Sequence, residues 1–425
     1  MIELNDGRKV VETPRPWKGF VGVDPEGRLE LPPELARRYG LAPGARMYLE
    51  AGAGTLLVHR PVSALARVYV EPTNACNLEC RTCVRHVWDE PLGAMEPAVF
   101  DKVLEGVRAT EPRPEVFFGG FGEPLGHPEI LTMVKAARQS GAHTELITNG
   151  VLLDEAMIRG LIEAGLEFLW VSLDGATPES YLDVRLGDEL PRIVENLRQL
   201  RRLRYVLGSR YPKLGIAFVA MKRNLKDLPE VVTLGRRLGA RKFHVSNVLA
   251  YTEEMRGEVL YGRSLWEDRY RFEQVSLPRM DATAELLEAW RALTFRSDWT
   301  ALVEREHSGP FDTCPFVARG SLSVRWDGKV SPCLPLLHAH DSYLDETHRR
   351  NEAYFVGALQ EASLREIWET PEYLRLRERL REFDFSPCTV CNSCEMAEAN
   401  VEDCFGSELP ACGGCLWAQG FVRCP

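Results

Sequence analysis

Residues Arg67 to Arg85 read R-V-Y-V-E-P-T-N-A-C-N-L-E-C-R-T-C-V-R. The run R-V-Y-V-E is β-branched and aromatic, which suits a buried strand. Cys76, Cys80 and Cys83 follow it in a C-x3-C-x2-C spacing. Clustered thiolates are natural ligands for an iron–sulfur cluster. Zinc is the alternative, but it usually takes C-x2-C with a matching second pair, and none lies nearby. Three cysteines leave one corner of a cuboidal cluster without a protein ligand. An open corner is where chemistry can happen, so the stretch predicts a reactive centre at the end of a first strand.

Outward from this stretch, residues from about 66 to 250 alternate strand and helix. After the cysteine loop come a helix near 96–110, the strand E-V-F-F and the helix P-E-I-L-T-M-V-K-A-A-R-Q-S, ended by Gly141. H-T-E-L-I-T, a helix near 154–164, E-F-L-W-V-S-L and a long helix near 190–204 follow. L-G-I-A-F-V-A, L-P-E-V-V-T-L-G-R-R-L and K-F-H-V-S-N-V complete the series. Six β/α units in a row predict a parallel sheet with helices outside. Six are too few for a closed eight-stranded barrel. The expected fold class is therefore α/β, a partial (β/α)6 TIM-type barrel. Sites in such sheets lie at the C-terminal ends of the strands, and every motif singled out below falls there. His244, inside the sixth strand, is expected to be an ordinary strand residue.

Four segments are expected: a small β-rich N-terminal domain at 1–62, the partial barrel at 63–250, a helical linker at 251–310 and a cysteine-rich C-terminal domain at 311–425. In the last, regular structure is expected to become sparse. The N-terminal segment places turns at Pro25-Glu26-Gly27 and Pro43-Gly44, with a proline-led helix between two hairpins. The net charge of −10 argues against wholesale nucleic-acid binding. The N-terminus has no apolar run that would mark a signal peptide, and nothing approaches the roughly 20 apolar residues of a membrane helix. A cytoplasmic protein is expected. Of the 12 cysteines, nine follow residue 310: Cys314, Cys333, Cys388, Cys391, Cys394, Cys404, Cys412, Cys415 and Cys424. In a reducing compartment such clusters read as metal ligands, so two metal-bearing regions are expected, joined by a cysteine-free body.

C-N-L-E-C-R-T-C after a first strand resembles the radical SAM superfamily, although Thr82 stands where an aromatic often precedes the last cysteine. The resemblance implies a [4Fe–4S] cluster on Cys76, Cys80 and Cys83. Its open iron would be chelated by the amino and carboxylate groups of S-adenosylmethionine. One electron would then release methionine and a 5′-deoxyadenosyl radical that abstracts hydrogen. It further implies that G-G-F-G-E-P, with Gly119, Gly120 and Glu123, meets the methionine amino group, in a form lengthened by Phe121-Gly122. Thr148 and Asn149 of T-N-G, Ser172 and Asp174 of S-L-D-G, and Arg185 would complete the cofactor site. Val219 to Met221 and Ser246-Asn247 would line its adenine and substrate side.

The spacing C-x13-G-x4-C from Cys314 to Cys333, around a W-D-G-K-V-S-P-C hairpin, resembles the opening of a SPASM domain, which carries auxiliary [4Fe–4S] clusters. The later set, C-x2-C-x2-C-x9-C-x7-C-x2-C-x8-C, starts as that family's does and then departs from it. Nine cysteines suffice for two fully ligated clusters with one left over, or for one cluster and a zinc ion. Two clusters are the favoured reading, with their individual ligands unassigned. Leu334 occupies the place after the second cysteine where some of these enzymes carry an acidic base, so no general base is named. Asp312 and Asp327 are only nearby acids.

The run D-x-E-G-R-L-x-L-P-x-E-L-A-R-R-x-G-L-x-P-G resembles an AbrB-type swapped-hairpin domain. That likeness implies a homodimer or a partner-docking module. DNA binding is disfavoured, because Arg28, Arg37, Arg38 and Arg46 are offset by Asp24, Glu26, Glu30 and Glu34. The whole chain resembles the maturases associated with tungsten-cofactor aldehyde oxidoreductases. The resemblances imply a peptide or protein substrate and reduced ferredoxin or flavodoxin as electron donor. Two alternatives are a thioether-forming maturase of ribosomal peptides and a redox-sensing regulator that binds DNA through its head.

Overall fold

A computed structural model describes residues 2–3, 9–10, 21–41, 44–52, 54–261, 275–276, 280–281, 283–295, 313–344, 347–389 and 394–425. Pro43, Cys391, Asp312 and most of 251–310 lie outside them. The N-terminal segment holds three antiparallel hairpins: β1 (Ile2–Glu3) with β2 (Lys9–Val10), β3 (Gly22–Val23) with β4 (Leu29–Glu30), and β5 (Leu49–Gly52) with β6 (Thr55–Val58). Between the last two lies α1 (Pro33–Arg38), which carries proline at its start, where a missing N–H costs no hydrogen bond.

The next six strands are β7 (Arg67–Val70), β8 (Glu115–Phe118), β9 (Thr144–Thr148), β10 (Phe168–Ser172), β11 (Lys213–Ala220) and β12 (Ala240–Asn247). They lie side by side in chain order and are all parallel. The intervening helices are α2 (Pro97–Ala109), α3 (Ile130–Gln139), α4 (Glu155–Ala164), α5 (Pro178–Arg185), α6 (Leu190–Val206) and α7 (Leu228–Arg237). Strands covered on both faces read as continuous apolar runs. Val68, Val70, Val116, Phe118, Leu146, Val171 and Ile216 are accordingly buried, against Phe100 and Val103 of α2 and Met133 and Val134 of α3. Each such side chain contributes about 1.5–3 kcal/mol. Local chemistry sets the helix ends: Asp154 Oδ1 accepts the Met157 N–H at 2.8 Å to start α4, and Gly165 ends it in the left-handed region.

Three features depart from the expected layout. First, α5 is an additional helix between β10 and α6. Its segment P-E-S-Y-L-D-V-R is short and mostly polar, so it carries little periodicity, yet a Thr177–Ser180 capping box starts it. Second, the linker contains not only α8 (Glu253–Arg256) and α9 (Ala284–Phe295) but also β13 (Val275–Ser276), parallel to β12. Third, the cysteine-rich segment is not a structurally sparse appendage. After α10 (Pro315–Arg319), β14 (Ser321–Val324) pairs parallel with β7 and extends the barrel sheet. The expected hairpin then joins β14 to β15 (Lys329–Ser331). The physical reason is that β7 would otherwise be an edge strand with unpaired backbone groups. β16 (His340–Leu344) pairs with β17 (Thr347–Asn351), and β18 (Gly357–Ala358) pairs with β15. The open sheet thus runs β13-β12-β11-β10-β9-β8-β7-β14-β15-β18. Two helices, α11 (Leu364–Glu369) and α12 (Pro371–Glu382), hold the chain entering the barrel. Trp368 Nε1 donates to Ser63 O and Arg377 Nε to Val62 O, both at 2.8 Å.

At the N-terminal ends of the strands, Arg67 pairs with Glu145 at 2.8 Å, and His143 lies 2.9 Å from Glu167 and 3.4 Å from Glu145. Burial pulls the His143 pKa down, but the two carboxylates outweigh it and raise the value to about 9. A raised folded value stabilises fully below the unfolded pKa and is lost as pH rises through the folded one. Because the side chain is 32% exposed, the contribution is discounted to about 1–2 kcal/mol. Denaturant unfolding between pH 6.5 and 9 should show the parent losing that much relative to His143→Gln. Parallel curves for the two proteins would contradict the assignment.

Candidate active site

The cysteine loop leaves the C-terminal end of β7 and is fixed by its own backbone. Cys83 N–H donates to Cys80 O at 2.9 Å, and His86 Nε2 lies 2.9 Å from the same oxygen. Arg81 ties the loop to α5: its N–H donates to Val184 O and its Nε to Asp183 O, both at 3.0 Å. The three thiols lie close enough to influence one another's charge. Burial pushes Cys76 and Cys83 up, and their neighbours in the trio add to that.

The glycine-rich and T-N-G turns converge on this loop. Glu123 is buried, and its N–H donates to Ala75 O at 2.8 Å. Its carboxylate accepts from Thr148 Oγ1 at 2.7 Å, Asn149 N–H at 2.7 Å and Leu125 N–H at 3.0 Å. Burial raises the Glu123 pKa against these three donors. The carboxylate is thus held in place by the chain itself. Gly122 is required by close approach: a Cβ there would lie 2.1 Å from Thr73 O. Asn149 Nδ2 donates to Asn77 Oδ1 at 2.8 Å and sits 3.8 Å from Cys76 Sγ.

On the other side, Arg185 closes the group. Its Nη1 lies 3.5 Å from Cys80 Sγ, and its Nη2 lies 2.5 Å from Asp174 Oδ2. Asp174 is fully buried and the Arg185 side chain is 11% exposed, so Arg185 is not the surface ion pair that a terminal helical arginine could have been. Asp174 also accepts the Val219 N–H at 2.7 Å. Its carboxylate therefore stands behind Arg185. Ser172 ends β10 beside Ala217 of β11. Gly119 and Gly120 follow β8 directly. Ser246 and Asn247 face the chain's own C-terminus instead of open space: Arg423 N–H donates to Ser246 Oγ and Asn247 Nδ2 to Phe421 O, both at 2.9 Å. His244 is a half-buried strand residue edge-on to Trp170, and desolvation lowers its pKa to about 4.

Sequence reasoning missed Glu71, Asn77, Glu90 and His338. Asn77 and Glu71 flank named motifs, but nothing local marks His338, whose partner Glu71 is 267 residues away.

In the tail, Cys314, Cys333, Cys412 and Cys415 form a second group. Burial pushes Cys314 up to about 12 and Cys333 and Cys412 well above the ordinary thiol range. Cys415 rises for the same reason, and the thiols in the group raise one another further. A pocket adjoins them, lined by Cys333, Cys412, Cys415, His340, Arg349 and Trp417. Cys388 Sγ lies 3.0 Å from Ser386 Oγ, Cys394 is half-buried and Cys404 exposed. Cys424 is half-buried near Trp417 and Cys415. Thiols grouped in this way suit iron, which takes them as thiolates. Among the described residues, no three His, Cys, Asp or Glu side chains converge on one ion.

A partial barrel whose first strand opens into three grouped thiols, framed by the turns after the next three strands, defines an iron–sulfur enzyme with a small-molecule site. Residues 70–212 match the radical SAM superfamily, and residues 314–395 match the SPASM iron–sulfur cluster-binding domain. The chain is a radical SAM enzyme with a SPASM domain. Its cofactors are a [4Fe–4S] cluster with S-adenosylmethionine and auxiliary iron–sulfur clusters. It is 29% identical over 366 residues to the tungsten-containing aldehyde ferredoxin oxidoreductase cofactor-modifying protein of Pyrococcus furiosus, covering 84% of this chain and 96% of that one. It is 27% identical over 348 residues to a PqqA peptide cyclase of Gluconobacter oxydans, covering 81% and 85%. Streptococcus suis SuiB bound to its precursor peptide SuiA shares the fold, with a TM-score of 0.51 at 15% identity, covering 77% of this chain and 70% of that one. So does anSMEcpe with bound AdoMet, with a TM-score of 0.52 at 16% identity, covering 84% and 96%. Among the described residues, no helix is long and apolar enough to cross a membrane.

Proposed function

We propose that this enzyme is a cytoplasmic maturase that reductively cleaves S-adenosylmethionine and modifies a peptide or protein. The observation that carries the reading is the placing of Asn149 beside Cys76 and of Arg185 beside Cys80, with Glu123 tying Thr148 and Asn149 together behind the loop. A [4Fe–4S] cluster held there would supply the electron for reductive cleavage of S-adenosylmethionine. Cys76, Cys80 and Cys83 hold the cluster. Gly119 and Gly120 let the backbone approach the methionine end. Glu123, buried as it is, sets the two turns that face the cofactor. Arg185 places a fixed positive charge beside Cys80, and Asp174 orients it. Ser172 borders the ribose side.

The macromolecular target is supported by relatives named for peptide cyclisation and for modifying an oxidoreductase cofactor, and by a structural neighbour holding a precursor peptide. The cofactor-modifying relative favours a role in maturing a tungsten-cofactor oxidoreductase. Reduced ferredoxin or flavodoxin is the proposed electron donor. In the tail we assign Cys314, Cys333, Cys412 and Cys415 to one auxiliary cluster. Cys388, Cys391, Cys394 and Cys404 are assigned to a second, with Cys424 left over. Anaerobically reconstituted protein, reduced in the presence of S-adenosylmethionine, should yield 5′-deoxyadenosine and methionine. A co-expressed target should change mass. Absence of 5′-deoxyadenosine would refute the reading.

The N-terminal module is proposed to form a homodimer. Val23, Leu29, Leu49, Leu56, Leu57 and Val58 are exposed apolar side chains within one small module. Light scattering should give a dimer for the parent and a monomer for a Leu49→Asp, Leu56→Asp double variant. A monomeric parent would refute dimerisation.

A further inference from the structure

Glu71 is the first residue beyond β7 and is fully buried. Its Oε1 accepts the N–H of Phe121, in the middle of the glycine-rich turn, at 3.2 Å. Its two oxygens also lie 3.1 and 2.9 Å from Nε2 of His338, a residue of the tail. The other imidazole nitrogen, Nδ1, is 2.7 Å from Glu90 Oε2. Glu90 continues to Arg325 Nη1 at 3.0 Å, and Arg325 forks onto Asp327 at 2.9 and 2.6 Å. The Trp88 and Phe121 rings wall the imidazole, with centroids 4.3 and 5.7 Å away.

A neutral imidazole offers one donor and one acceptor. Here both ring nitrogens face carboxylate oxygens, so both must donate, and His338 is held as imidazolium. Burial opposes that charge, but Glu71 and Glu90 outweigh it and raise the pKa. The charged groups facing the ring are Glu71 from the end of β7, Glu90 from the segment after the cysteine loop, and Arg325 behind Glu90 from the β14–β15 hairpin. Trp88 and Phe121 add no charge. The chain of contacts therefore ties the cofactor-binding turn to the auxiliary-cluster segment through one cation between two anions.

We propose that His338 is a positioning residue that locks the turn at residues 119–124 to the tail, and that this lock sets the affinity of the site for S-adenosylmethionine. The inference rests on the reading that this turn holds that cofactor. The lock is complete while His338 is charged and weakens as pH rises through its titration. The test uses the full-length, cluster-reconstituted protein and anaerobic equilibrium binding of S-adenosylmethionine from pH 6.5 to 9.5. The parent should bind more weakly as pH rises. His338→Gln should bind about tenfold more weakly at neutral pH and lose the pH dependence, while the reduced-cluster electron spin resonance keeps its intensity. Parent affinity and an unchanged pH profile in His338→Gln would overturn the proposal. Should that variant fail to take up its cluster, Glu90→Gln, at the outer end of the chain, decides. A weakened, flattened profile supports the lock, and the parent profile overturns it. A parent that binds no S-adenosylmethionine overturns the site reading itself, a different outcome from a parent and variant that bind alike.

Discussion

Cys80→Ala is expected to abolish formation of 5′-deoxyadenosine while leaving the barrel folded. Cys80 is the most buried of the three loop thiols, and it is the one that Arg185 touches. Its loss leaves Cys76 and Cys83, too few thiolates to hold a cluster whose fourth corner is given to the cofactor. The fold should survive, because the Arg185–Asp174 pair and the backbone bonds around Cys83 do not depend on the sulfur. The structural cost should be about 1 kcal/mol, the ordinary effect of trimming a small buried side chain. Iron content, far-ultraviolet circular dichroism and product analysis under reducing conditions check the three statements. Product formed at the parent rate would remove Cys80 from the cluster and dismantle the proposed function.

The barrel was legible because parallel strands covered on both faces are nearly continuous apolar runs, and the helices between them are amphipathic. α5 was not, because P-E-S-Y-L-D-V-R has only Tyr181 and Val184 fully buried and shows no stripe. The pairing of β14 with β7 was invisible for another reason. Nothing in S-L-S-V says which edge it will cover, and the partner lies some 250 residues earlier. The site divides in the same way. Cys76, Cys80, Cys83 and the turns after β8, β9 and β10 are marked by spacing and by position after a strand. The engagement of Glu123 by Thr148 and Asn149, the placement of Asp174 behind Arg185 and the covering of Ser246 by the C-terminal residues are tertiary facts. A residue type can be read from sequence, but the direction in which its side chain is spent cannot. His338 is the extreme case, since one histidine among nine carries no mark of the two carboxylates that flank it.

Cys412→Ala is expected to do the opposite of Cys80→Ala: to lower the iron content by about one third, for three four-iron clusters, and to leave reductive cleavage of S-adenosylmethionine intact. Cys412 is grouped with Cys314, Cys333 and Cys415, in a segment separate from the loop that holds Cys76, Cys80 and Cys83. The buried Arg349 packs against this group. A Cβ on Gly414 would lie 2.1 Å from its Nη1, so the C-G-G-C turn needs glycine there to admit the cation. Arg349 Nε has no hydrogen-bond partner among the described residues, and its charge faces Cys388, Cys412 and Cys415. A buried guanidinium without a carboxylate beside it is costly unless an anion offsets it, and thiolates bound to iron supply that anion. Losing Cys412 should therefore also destabilise the tail, visible as a lower unfolding midpoint once iron is removed from the parent for comparison. Target modification should fall with the iron. Cys424→Ala is the control: with eight other tail cysteines filling two clusters, it should keep the full iron complement. Full iron in Cys412→Ala, or a third of the iron lost in Cys424→Ala, would reassign the ligands. Loss of S-adenosylmethionine cleavage in Cys412→Ala would show that the two cluster regions are not separable.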